Sequence, residues 1–170
     1  MVLQSDLEAE ASILLGHLRG MAQSLRKLTL EQWDWTFAPP APTPRILAIH
    51  ALAWLQCDRQ HINNPDVSTH RPVPDPPVEP EEICLAMEAE ADNWEALLKS
   101  LTPEDLDRPS PQFGRPESSA NVRWLIAHMV QNVIYKHGEF ATIFFALGLD
   151  GTEPYDAPFP NPIYKEFGIC

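Results

Sequence analysis

Apolar residues recur along this chain at spacings of four and three, with no two-residue alternation of the kind that marks a strand. Leu7, Ala11, Leu14, Leu18, Met21, Leu25 and Leu28 trace one seam, and Ser5 with Glu8 supplies a capping-box pattern at its start. A second helix is predicted from Thr43-Pro44, a strong helix opening, to about Ile62. On it Ile46, His50, Ala53 and Cys57 share a face, with Leu47, Trp54 and His61 one position beside them, so His50 is expected at the centre of the buried side. Cys84, Met87, Ala91, Trp94, Leu98 and Leu101 mark a third helix that starts near Glu81. The fourth and longest runs from Ser119 to Gly148, with Ser118 or Ser119 to cap its start and Gly148 at its C-terminal cap. Apolar residues nearly encircle it, which predicts burial on most sides.

The connections complete the plan. Thr29 and Gln32 repeat the capping-box spacing around a short turn, and Thr102-Pro103-Glu104-Asp105 predicts another before a loop from Arg108 to Glu117. Trp33 and Trp35 are expected as core plugs at one end of the bundle, ahead of the rigid stretch APPAPTP. Asn63-Asn64-Pro65 ends the second helix, and the proline-rich run to Pro80 reads as a surface crossing long enough to span the bundle end. After Gly148 the tail carries Tyr155, Phe159, Ile163, Tyr164 and Phe167, and is expected to lie as a strap over a groove. The predicted fold is all-α: one domain over residues 1–170, a four-helix bundle with a long crossover between helices two and three and a C-terminal strap.

Charge narrows the function. A net charge of −12 and a pI near 4.8 argue against nucleic acid and against an anionic membrane surface, both of which attract cationic faces. No uninterrupted apolar run approaches the ~20 residues of a membrane span. The opening MVLQSDLEAE lacks the basic and apolar regions of a signal peptide, and Cys57, Cys84 and Cys170 have no motif spacing. Reduced thiols and a cytoplasmic location are the expectation.

The chemistry lies in a conflict within the fourth helix. The most buried helix carries His128, Gln131, Asn132, Lys136, His137 and Glu139 in its middle, and buried polar groups need partners or a task. His50 and His128, on facing helices, are the natural pair for a metal site, although a core histidine more commonly bonds a carbonyl or a side chain. His17, His61, His70 and His137 have no ligand spacing among themselves, and His17 falls off the first seam. HExxH, CxxC, a phosphate loop and a serine elbow are all missing from the sequence.

In the order of its elements the chain resembles the DinB/YfiT-like superfamily of bacterial four-helix bundles. RILAIHALAWLQCDRQHI looks like that family's helix with a metal-ligating histidine in its first third. HMVQNVIYKHGEFATIFFALG looks like its signature, two histidines four apart before a Gly-Gln step and a Leu-Gly end. By this resemblance His50 matches the first ligand, and Gly138-Glu139 matches the Gly-Gln step. The two remaining ligand positions then fall on Asn132 and Lys136. A neutral amide is a poor ligand for zinc or nickel, and a protonated lysine repels a cation. No tightly bound cofactor is therefore expected; the alternative is a divalent metal, zinc or nickel, held by His50 with His128 or His137 and Glu139.

Two functional readings stand. The resemblance implies a small-molecule transferase or isomerase, or its remnant, acting on low-molecular-weight thiols in a pocket at His50. The other is a metal-free binding or stress-associated bundle. The apolar excess of the fourth helix suggests a homodimer in either case.

Overall fold

The computed structural model describes residues 2–64, 66, 77–110 and 119–149. Six helices follow in order: α1 (Val2–Leu25), α2 (Leu30–Trp33), α3 (Pro44–Asn63), α4 (Pro80–Ser100), α5 (Pro103–Leu106) and α6 (Val122–Ala146). The four long ones make a bundle, and no strand lies among the described residues. The predicted strap, and nearly all of the predicted crossing before Pro80, lie outside the described residues.

Ion pairs fix the helix directions. Arg19 reaches Asp92 and Glu95, whereas Arg26, further along α1, reaches Glu81 and Glu88 nearer the start of α4. The two helices are therefore antiparallel. Arg45, at the start of α3, bonds the carbonyl of Val78 just ahead of α4, so α3 and α4 begin at one end. At the other end Arg108 donates to the Ile62 carbonyl at 2.7 Å, tying the entry to α6 onto the exit of α3. Each long helix packs against two others, α1 on α4 and α6, α3 on α4 and α6.

The seams of α1 and α4 lie where their periodicity puts them. Leu14, Leu18, Met21 and Leu25 on α1 and Cys84, Met87, Ala91, Trp94 and Leu98 on α4 are buried. Trp33 plugs the core with its ring under Arg45, and Trp35 packs partly against it. Thr29 and Thr102 both close capping boxes, so the short turns form as their spacing predicts. A Cβ-free residue is needed at Gly148, where φ is 71°, and its amide closes the last turn of α6 on the Phe145 carbonyl.

Three expectations are corrected. The N-cap of α6 is Asn121, whose side chain accepts from the Trp124 amide, and not Ser118 or Ser119. The helix is not buried all round, because Trp124, Ile134, Tyr135 and Phe145 are exposed. The buried face of α3 is also rotated from the predicted one. It runs through Leu47, Ala51, Leu55, Asp58 and Ile62, leaving Ile46, His50 and Trp54 exposed. The leucine-rich stripe removes more apolar surface from water than the stripe through Ile46 and His50, so the helix turns that way.

Candidate functional site

α3 and α6 run antiparallel, and their shared seam gathers most of the polar residues singled out from the sequence. His50 stands on its outer edge and not at its centre. Trp54, one turn on, donates its indole N–H to His50 Nε2 at 3.0 Å, which leaves Nδ1 as the protonated nitrogen of the neutral ring. Lys136 and Glu139 stand across from it on α6, joined by an ion pair of 2.7 Å. Their side chains are only 12% and 27% exposed, so this pair is a fixed feature of the seam and not a floppy surface contact. Partial burial first, and then the Lys136 ammonium, push His50 below the ordinary imidazole value, while the Glu139 carboxylate pushes it back up. Asn132 is half-buried one turn before Lys136.

His128 belongs to a different group further down the seam, about 12 Å from His50 along α3. Its Nδ1 lies 3.5 Å from Oδ2 of Asp58, too long for a good hydrogen bond. Both atoms are buried, and the imidazole stacks on Trp124 with the ring centroids 5.0 Å apart. Burial raises the Asp58 carboxyl above its usual range, opposed by His128 and by the neighbouring His61. Asp58 was not among the sequence candidates. Its signal was present, since it continues the Leu47–Ala51–Leu55 stripe where a leucine would be ordinary.

His137 joins neither group. It is buried on the side of α6 that faces α1, with Nδ1 2.6 Å from Nδ1 of His17 and the rings perpendicular. One ring must supply the proton of that contact. Burial, and then the other histidine, lower His137 to about 4; burial also lowers His17. His17, expected off the seam, is thus half-buried and engaged. His61 is buried beside Asp58, and His70 lies outside the described residues.

The predicted cluster of His50, His128, Asn132, Lys136 and Glu139 is therefore strung along one seam and not gathered at one point. Among the described residues, no three His, Cys, Asp or Glu side chains converge as metal ligands. Nor is any of the described helices long and apolar enough to cross a membrane. An open cavity of about 590 Å³ lies on the other side of the bundle, between α1, the end of α4 and α5. Leu7, Leu15, Leu98 and Leu106 line it, with Glu8, Glu95 and Lys99 among them.

The donors beside His50 do not suit a divalent cation. A zinc or nickel site uses three good ligands, and here one imidazole is accompanied by an amide and by an ammonium that already holds the nearest carboxylate. The family model of the DinB superfamily matches residues 14–140, from the middle of α1 to Phe140 on α6. No curated protein matches the chain, and no solved structure does.

Proposed function

The chain belongs to the DinB superfamily, and from that premise we propose that it is a metal-independent member, a binding bundle whose site is the outer α3–α6 seam. One observation carries the reading. Lys136, paired with Glu139, occupies a position where the family resemblance places a metal ligand, and both charges act on His50. The ammonium puts a positive charge beside His50 without a metal, and it engages the Glu139 carboxylate that a metal would otherwise draw.

The seam offers a ligand an ammonium, a carboxylate, an imidazole and the Asn132 amide. Such a set fits a small polar molecule carrying both a donor and an acceptor, which would exchange with the internal ion pair. The indole of Trp54, fixed by its bond to His50, adds a partly exposed aromatic wall. The family's thiol chemistry would need a metal that these donors do not hold, so no step is assigned through one.

Calorimetric titration of chelator-treated protein with zinc tests the proposal. The unmodified chain is expected to bind no zinc at the seam. The double variant Asn132→His/Lys136→His, which sets two imidazoles four residues apart on the α6 face opposite His50, is expected to bind one equivalent. Tight stoichiometric binding by the unmodified chain, lost on His50→Ala, would overturn it.

A further inference from the structure

The face of α6 turned away from the bundle carries no charge except Arg123 at its edge, which turns to Asp107. Trp124, Gln131, Ile134, Tyr135, Gly138 and Phe145 lie on it, all exposed, with Tyr135 64% and Phe145 60% accessible. Ala127 and Thr142, also exposed, fill the intervening positions, giving a strip with the three-and-four spacing of a helix–helix seam. It extends about 32 Å at 1.5 Å per residue. We infer that this strip is the two-fold interface of a homodimer, in which two α6 helices pack antiparallel about an axis between Ile134 and Tyr135.

Electrostatics selects the face. The chain carries a net charge of −12, and the α1–α4 edge presents Glu81, Glu88, Asp92 and Glu95. Those acids are paired with Arg19 and Arg26, so two copies meeting along that edge would have to desolvate four ion pairs. Two copies meeting along α6 set no charge against its like.

Side-chain size selects the register. An isologous contact requires that residue i meet j wherever j meets i. Around an axis between 134 and 135 the strip is self-complementary. Trp124 faces Phe145, Ala127 faces Thr142, Gln131 faces Gly138, and Ile134 faces Tyr135. Large residues stand at the two ends and the centre, and at the Gln131 position the longer chain meets a glycine. A Cβ built on Gly138 touches nothing within 4 Å, so the space beside it is open to a partner's side chain.

At about 200 Å² for each large side chain, the exposed fractions of Trp124, Ile134, Tyr135 and Phe145 leave about 420 Å² uncovered. That is about half of the ~800 Å² each partner gives to a standard interface, and the exposed Ala127, Gln131, Gly138 and Thr142 add to it. Aromatic enrichment without charge is also the composition of interface centres. The inference does not rest on the proposed function, since the strip adjoins the His50 site without including Lys136 or Glu139.

The test is sedimentation equilibrium of the full chain at micromolar concentration. A species of about twice 19.2 kDa is expected. Tyr135→Glu and, separately, Gly138→Arg are expected to weaken it at least a hundredfold while leaving the helical circular dichroism unchanged. In a background with Cys57, Cys84 and Cys170 replaced by serine, a mixture of Gln131→Cys and Gly138→Cys chains is expected to form the mixed disulfide in preference to either self-disulfide. A dimer untouched by both charged variants would place the interface elsewhere, and a dimer with self-disulfides favoured would make it parallel; either overturns the inference. So would a 19 kDa monomer. If Tyr135 and Phe145 of that monomer resist hydroxyl-radical oxidation, the face goes to residues 150–170 of the same chain instead.

Discussion

Lys136 Nζ and Glu139 Oε2 lie 2.7 Å apart on one face of α6, three residues from each other, and both face His50. The pairing accounts for two charged side chains in a mostly apolar helix. Each neutralises the other where desolvation would penalise either alone. It also makes His50 a reporter of the site, because the two charges act on its imidazole in opposite senses.

Removing Lys136 should raise the His50 pKa. Lys136→Met deletes the ammonium that lowers it and leaves the Glu139 carboxylate that raises it. Glu139→Gln should do the reverse. Proton–carbon correlation spectra of the His50 ring across pH give both values. Equal His50 midpoints in the two variants would mean that these charges do not reach the ring.

Acid should weaken the fold through the His17–His137 contact. His137 titrates at about 4 in the folded chain against an ordinary value of 6.5, and His17 is lowered as well. With folded values below unfolded ones, the unfolded chain takes up protons first as pH falls. The stability from these groups is complete above about pH 6.5 and is lost as pH falls towards 4. At 1.36 kcal/mol per unit, His137 alone should cost about 2 kcal/mol between pH 6.5 and 5. Urea denaturation at pH 7 and pH 5 measures the difference, and His137→Gln should flatten it. A pH-independent midpoint would contradict a neutral buried pair.

A buried ion pair holds α3 to α4. Arg59 grips Glu90 through two bonds of 2.6 and 2.9 Å, and Glu90 is 2% exposed. Arg59→Ala should cost about 3–5 kcal/mol, since it strands a carboxylate in the core. The double variant Arg59→Met/Glu90→Leu should recover most of that loss, because an apolar pair of similar volume pays no desolvation. Equal losses in the single and double variants would show that packing, and not the stranded charge, sets the cost.

The seams of α1 and α4 were readable because each holds one unbroken apolar stripe from end to end. The orientation of α3 is hidden in the sequence for a physical reason. Its true stripe through Leu47, Ala51, Leu55 and Ile62 is interrupted by Asp58, while Ile46, Ala53 and Cys57 offer a rival that looks equally apolar. The rotation between them carries His50 from the core to the rim. The antiparallel seam still brings the charges of Lys136 and Glu139 to bear on it, because a step of eight residues from the Asp58–His128 approach, back along α3 and forward along α6, leads to His50 and Lys136. The pairing of His17 with His137 was not legible. Those residues are 120 apart, and no local pattern on either helix indicates which neighbour each will face.

The central claim is that an internal ion pair stands where the family resemblance places a metal ligand. Elemental analysis of the unmodified protein, expressed in medium supplemented with zinc and nickel and dialysed without chelator, tests it most directly. Three good ligands would retain close to one metal per chain, whereas one imidazole with an amide should retain almost none. The account predicts well under about 0.1 equivalents of any transition metal. About one equivalent per chain, lost on His50→Ala and unaffected by Asn132→Ala, would contradict it.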